Sequence, residues 1–195
     1  MKNLLKIVVA IFVFGSGFAK PITGKCAIAD KKDKGVEVQC EKSVEKKSVT
    51  DRKAIKKIDF NFNDLLEVAK KARENAYSPY SKFKVGAAVL STSGKVYTGC
   101  NVENASYGIT CCAERTAIFK AVSEGEKGNF IKAIAIVLDA PEFGAPCGAC
   151  RQVINEFAEP NAIIIMGTMN GNYKIECLET LLPYAFKLDE KEAAK

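Results

Sequence analysis

Three cysteines and one glutamate carry the chemistry this chain can do. Glu114 stands two residues after Cys112, and Cys147 and Cys150 bracket Gly148 and Ala149 directly behind Pro146. A Cys-x-x-Cys pair alone fits a redox dithiol or half of a structural zinc site. Both cysteine segments, however, open stretches that read as helices. A helix N-terminus favours the thiolate, because its exposed N–H groups and its dipole stabilise negative charge. Three thiolates on two helix starts make a zinc cup with one coordination position open, whereas a structural site usually closes with a fourth Cys or His. Glu114 need not be a ligand. It can face the open position and handle protons for a bound water.

The 195 residues contain eight Cys and no His. The missing His removes Ser-His-Asp and Cys-His catalysis, HExxH metalloproteases and every His-ligated metal site. A transition-metal site must then use thiolates and carboxylates. Zinc on three thiolates carries net negative charge, and a bound hydroxide adds to it, so a cation or donor must drain charge from the sulfurs. Arg115 follows Glu114 and Arg151 follows Cys150. Arg115 is the first candidate for that charge balance.

The net charge is +6, but it is unevenly spread. Residues 1–19 hold two Lys and no acid, residues 20–58 twelve basic against six acidic, and residues 59–195 fifteen against seventeen. The main body is slightly acidic, which argues against a nucleic-acid partner despite the basic total.

The positioning elements follow from periodicity. Leu65, Leu66, Val68, Ala69, Ala72 and Ala76 recur at helical spacing, with Asn61 or Asn63 able to cap the start. Phe83, Val85, Ala87 and Val89 alternate as a strand, turned by Ser93-Gly94 into a second strand over 96–100. A loop covers 101–110. Helices are expected over 113–124 and 147–157, strands over 133–138 and 162–166. Asn170-Gly171 turns into a strand over 173–175, and a short helix near 178–182 ends the pattern. Helices alternating with strands give an α/β class, a mixed sheet covered by helices in an α-β-α sandwich.

Residues 1–19 have the form of a signal peptide. Lys2 and Lys6 precede the apolar run 7–14, and Gly17 and Ala19 sit at the spacing a signal peptidase reads. The alternatives are an uncleaved anchor or an ordinary buried helix, though the run is short for a membrane span. Residues 20–58 are Lys-rich and read as a flexible extension. Cys26 and Cys40 in it could pair with each other in an oxidising compartment or be two free thiols. The expected organisation is thus a leader (1–19), an extension (20–58), a catalytic domain (59–188) and a polar tail (189–195).

Over about residues 65–186 the chain resembles the small homotetrameric zinc-dependent cytidine deaminases. The resemblance rests on four ordered stretches: 76–88 (AYSPYSKFKVGAA), 99–107 (GCNVENASY), 112–117 (CAERTA) and 146–152 (PCGACRQ). It implies that Cys112, Cys147 and Cys150 hold one Zn²⁺ per subunit and that Glu114 is the proton shuttle. It implies further that Asn101 and Glu103 bond the ribose hydroxyl, that Phe83 packs on the pyrimidine, and that the backbone near Ala113 reads the base carbonyl. Tyr107 and Phe186 are then contributors to pockets shared between subunits. Without the resemblance, Phe83 could equally be a core aromatic, Asn101 and Glu103 ordinary loop polars, and Arg115 a surface arginine. Cys100, Cys111 and Cys177 read as core cysteines.

The activity implied is hydrolytic deamination of cytidine and 2′-deoxycytidine to the uridines, with release of ammonia, by zinc-activated water in pyrimidine salvage. The partners implied are a free nucleoside and further copies of the chain, with no nucleic acid and no membrane after leader removal. The leader argues for the secretory pathway and the family for the cytosol. Two rivals stand beside this reading. One is a different deaminase on the same scaffold, such as a polynucleotide editor or a blasticidin-type antibiotic deaminase. The other is a non-catalytic zinc-binding or secreted interaction protein, which leaves Glu114 and the open position without a use.

Overall fold

The computed structural model describes residues 26–29, 37–40 and 60–188. The expected leader and polar tail lie outside the described residues. Within the Lys-rich segment, β1 (Cys26–Ala29) and β2 (Glu37–Cys40) pair antiparallel, with Cys26 opposite Cys40. Two strands of four residues leave little periodic signal in the sequence.

The main body follows as α1 (Phe62–Glu74), β3 (Val85–Ser91), β4 (Val96–Cys100), a short 3₁₀ turn (Tyr107–Ile109), α2 (Ala113–Ser123), β5 (Ile131–Leu138), α3 (Gly148–Glu156), β6 (Ala158–Thr168), β7 (Tyr173–Cys177) and α4 (Leu178–Leu181). One sheet runs in the order β4-β3-β5-β6-β7. Only β5 and β6 are parallel, joined by α3; every other neighbouring pair is antiparallel. The mixed sheet expected from the alternation of elements is therefore present.

Alternation along the central strands divides the core. Ile134 and Ile136 of β5 with Ile164 and Met166 of β6 face the side of α2 and α3, packing on Ala117, Ile118 and Ile154. Ala133, Ala135 and Val137 with Ile163 and Ile165 face α1, packing on Phe62, Leu65, Leu66 and Ala69. Because both faces of β5 are covered, its sequence reads as an unbroken apolar run. The result is the three-layer α-β-α arrangement.

Two glycines set how closely the helices lie on the sheet. A Cβ on Gly99 of β4 would run into Ala117 N and Ala113 O, and one on Gly86 of β3 would meet Ala69 O and Arg73 N. Helices α2 and α1 therefore rest backbone to backbone on β4 and β3, an approach only glycine permits.

The start of α1 follows the sequence expectation. Asn61 is the N-cap, and its side chain accepts from Asn63 N at 2.9 Å. Several strand boundaries differ: β5 begins two residues earlier than expected and β7 ends two residues later. Phe83 lies outside β3, which begins at Val85. Strand β6 begins at Ala158 rather than near 162: Ile131 pairs with Ala158 but Ala133 with Ile163, so the exposed segment 159–161 is extra chain accommodated at a register shift.

Candidate active site

Cys112 and Cys147 are the N-cap residues of α2 and α3, and Cys150 lies in the first turn of α3. Packing both helix N-termini at one end of the sheet brings the three Sγ atoms within 4.8 Å of one another. Cys150 is buried, Cys112 half-buried and Cys147 exposed, so the group runs from the interior to the surface. The Cys112 thiol is lowered to about 5, first by the hydrogen bond it accepts from Cys150 and then, against the opposing effect of burial, by Arg115. The Cys150 thiol is pushed up, because it is the donor in that pair and is itself buried.

A thiolate is thus already favoured at one of three converging sulfurs, and two of the three sit at helix N-termini. This donor set fits zinc and no harder cation. Among the described residues the group has three members, so it does not form a closed four-ligand site.

Glu114 follows in the first turn of α2 and is 4% exposed. Burial, with a smaller push from the charge of Cys112, raises its carboxyl above the usual carboxylate range. It stands beside the sulfur group without belonging to it. Ala113, fully buried, is the first residue of α2, where a backbone N–H has no partner within the helix.

The two arginines separate clearly. Arg115 Nη2 donates to Cys112 Sγ at 3.8 Å and to Thr110 O at 2.7 Å, while its Nε is buried with no hydrogen-bond partner among the described residues. Arg151 is spent elsewhere, donating to Pro146 O and Leu181 O at 2.7 Å each. Arg115 is the cation beside Cys112, and no signal in the sequence marks the Thr110 carbonyl that steers it.

Asn101 and Glu103 lie just beyond β4, facing the segment 77–85. Asn101 is buried; its Oδ1 accepts from Val85 N and its Nδ2 donates to Phe83 O, both at 2.8 Å. Glu103 accepts from Tyr80 N at 2.8 Å and from the backbone and hydroxyl of Ser81. The Ser81 hydroxyl bond, followed by these backbone donors, holds the Glu103 carboxyl below its usual range against a smaller effect of burial. The structure therefore brings Phe83, Asn101 and Glu103 together through loop 77–85. The Phe83 side chain is 43% exposed, so it is not a core aromatic.

Tyr107 is 74% exposed and stacks edge-on against Tyr80, with ring centroids 6.0 Å apart. Phe186 is 67% exposed. Its carbonyl accepts from Gln152 and Asn155, which ties it towards the end of α3 away from the sulfurs. Within one chain Phe186 does not join the site. A cleft of about 500 Å³ lies near it, lined by Asn155, Leu178, Leu182 and Tyr184 among others, and no sulfur-group residue lines that cleft. Cys100 and Cys111 are partly buried free thiols outside the sulfur group, and Cys177 is buried. Among the described residues no helix is long and apolar enough to cross a membrane.

Comparison with known proteins places this geometry in context. Residues 61–168 match the cytidine and deoxycytidylate deaminase zinc-binding region. The chain is 48% identical over 126 residues to a cytidine deaminase of Sporosarcina psychrophila, covering 65% of this chain and 91% of that protein. It is 42% identical over 132 residues to a cytidine deaminase of Mycobacterium tuberculosis, covering 68% of this chain and 94% of that protein. The crystal structure of a cytidine deaminase from Burkholderia pseudomallei superposes with a TM-score of 0.64 at 49% identity, over 65% of this chain and all of that one.

Proposed function

The chain belongs to the cytidine and deoxycytidylate deaminase family and is a zinc-dependent deaminase of cytidine, and we propose that Cys112, Cys147 and Cys150 hold its zinc while Glu114 moves the protons. The observation that carries this division of labour is the convergence of three sulfurs within 4.8 Å beside a buried carboxylate. When bound, zinc supplies the Lewis acidity that makes hydroxide available near neutral pH.

Glu114 accepts the proton of the attacking water at its carboxylate, as oxygen adds to C4 of the base. It passes that proton to N3, then takes the proton of the new C4 hydroxyl and gives it to the amine as the C4–N bond breaks, so that the C4 carbonyl forms and ammonia leaves. Its burial suits this task, since a carboxyl raised above its usual range takes up a proton more readily. Arg115 donates to Cys112 and offsets the charge of the three thiolates. The backbone at Ala113 orients the base carbonyl, Phe83 covers the ring, and Asn101 and Glu103 receive the sugar. A free nucleoside fits this pair, because an unblocked sugar hydroxyl can still be accepted by a carboxylate with unused lone pairs. The same contacts admit 2′-deoxycytidine, and the role that follows is pyrimidine salvage.

The exposed rings of Tyr107 and Phe186 support a homotetramer in which neighbouring copies complete each pocket; a monomer in sedimentation at working concentration would remove that element. Residues 59–188 are read as the catalytic domain, with 1–19 and 20–58 as additions. Recovery of Met1 on N-terminal sequencing of the mature chain would exclude cleavage after Ala19.

The direct test follows cytidine loss by ultraviolet absorbance with zinc quantified on the same sample. Glu114→Ala is expected to keep stoichiometric zinc and lose turnover by about 10²–10⁴-fold. Turnover close to that of the unaltered enzyme would exclude the assigned role.

A further inference from the structure

Loop 77–85 is laced onto the chain that leaves β4. Tyr77 N donates to Asn101 O at 3.0 Å, Glu103 N to Tyr77 O at 2.8 Å, and Asn101 N to Val85 O at 3.2 Å. The amide of Asn101 adds its two bonds to Phe83 O and Val85 N. At the middle of the loop the lacing passes through one side chain. The Ser81 hydroxyl donates to Glu103 Oε1 and accepts from Phe83 N at 3.0 Å. Its single proton and one of its lone pairs are both used.

Lys82, between Ser81 and Phe83, has φ of 59°, a left-handed conformation rarely adopted outside glycine. Such a conformation persists only where its surroundings over-determine it. Here the bond from Phe83 N to Ser81 Oγ closes over Lys82, and Lys82 N donates to Ser78 O at 3.1 Å. Without the hydroxyl, Phe83 N loses its acceptor and Glu103 Oε1 keeps only the long bond from Ser81 N at 3.4 Å.

We propose that Ser81 is a positioning residue for nucleoside binding, its hydroxyl coupling the Glu103 carboxylate to the backbone of Phe83. This rests on the reading of Glu103 as the sugar contact and Phe83 as the base contact. Ser81 touches neither part of the substrate. It fixes the distance between the two groups that do, so the pocket wall is ordered before the nucleoside arrives and less ordering is lost on binding. The two halves of the nucleoside are thereby read by one rigid unit rather than by two independent side chains.

The experiment measures steady-state kinetics with cytidine on the zinc-loaded enzyme and its Ser81→Ala, Ser81→Thr, Glu103→Gln and Ser81→Ala/Glu103→Gln variants. Ser81→Ala is expected to raise KM by roughly 5–30-fold with kcat within about twofold, since the interaction lost serves binding and not the chemical step. Zinc content is expected to be unchanged and tryptic cleavage after Lys82 faster. Ser81→Thr, which keeps the hydroxyl, is expected to restore KM. The double variant is expected to be impaired by less than the sum of the two single changes, because both act on the Ser81–Glu103 contact. A Ser81→Ala enzyme with unaltered KM overturns the proposal. So does one that loses kcat together with zinc, or a Ser81→Thr variant as impaired as Ser81→Ala. If the unaltered enzyme turns over cytidine, these failures concern Ser81 alone; if it does not, the functional reading falls and this proposal with it.

Discussion

Glu114 and Glu103 are two carboxylates of one site whose surroundings push them in opposite directions. Glu114 is buried beside sulfur and is raised by that burial and by the charge of Cys112. Glu103 is ringed by donors from Tyr80 and Ser81 and is lowered. The regions around them differ in the same way. On the sulfur side, three thiols converge and, among the described residues, one arginine nitrogen has no hydrogen-bond partner. On the loop side, side chains and backbone of 77–85 and 101–103 satisfy one another. A carboxyl raised above its usual range takes up a proton more readily, and one lowered below it suits recognition of a hydroxyl. With zinc held as proposed, the two halves take their order from different sources, an ion for one and hydrogen bonds for the other.

The sharpest way to break this contrast is to remove a sulfur. Cys150→Ala deletes the buried donor to Cys112 and a proposed ligand. Zinc is expected to fall well below stoichiometric and turnover to be lost. The chelator-dependent shift in melting temperature is expected to vanish, since metal binding and stability are linked. Metal analysis and thermal melts with and without chelator check this. Stoichiometric zinc in the variant would mean that the sulfur side is not ordered by the ion through this residue.

A smaller effect is expected from Arg115→Ala. Loss of a donor to a ligating sulfur costs roughly 10–100-fold in metal affinity or activity. Chelator competition and the pH profile of turnover read it. The loop side shares no bond with Arg115, so KM is expected to move less than kcat. Unchanged affinity, rate and pH profile would leave Arg115 as a structural arginine bonded to Thr110 O.

The sulfur side was legible in the sequence and the loop side only half so, and the contrast explains why. Thiolates, a carboxylate and an arginine announce their chemistry by type, and their helix starts follow from apolar spacing and from Pro146. The loop side depends on backbone path. Phe83 continues the alternation of Val85, Ala87 and Val89, so it reads as strand. Yet Lys82 is left-handed and Asn101 bonds Phe83 O and Val85 N, which delays the strand to Val85. Ser81 carries no signal at all, because a serine in a polar loop has no period. Nor does composition reveal that Gly99 lets α2 touch β4, the contact that sets the depth of Cys112 and Glu114 relative to Asn101. The layers of the fold, by contrast, follow directly from alternation along β5 and β6.

The finest test acts at the far end of α2. The helix ends with Gly125 at φ of 102°; Glu126 N donates to Ala121 O and Gly125 N to Val122 O, which closes the last turn. Glu126 then accepts from Ser93 Oγ at 2.7 Å and from Tyr97 OH at 3.0 Å. The helix that bears Cys112 and Glu114 is thus tied at its other end to the β3–β4 turn. Bonds from Ser93, then Ser91, hold the Glu126 carboxyl below its usual range, outweighing a smaller effect of burial. A depressed carboxyl contributes stability that is fully present above its unfolded value and is lost as pH falls through the folded one. Glu126→Gln is therefore expected to lower the melting temperature by roughly 1–2 °C at neutral pH. The difference is expected to close in acid, below the folded value. If zinc orders the sulfur side, the zinc-free enzyme leans more heavily on this tether, and its melting temperature falls further than that of the zinc-loaded form. Equal falls in the two forms would mean that α2 is held by its own packing on Gly99, and that the ion adds nothing to its order.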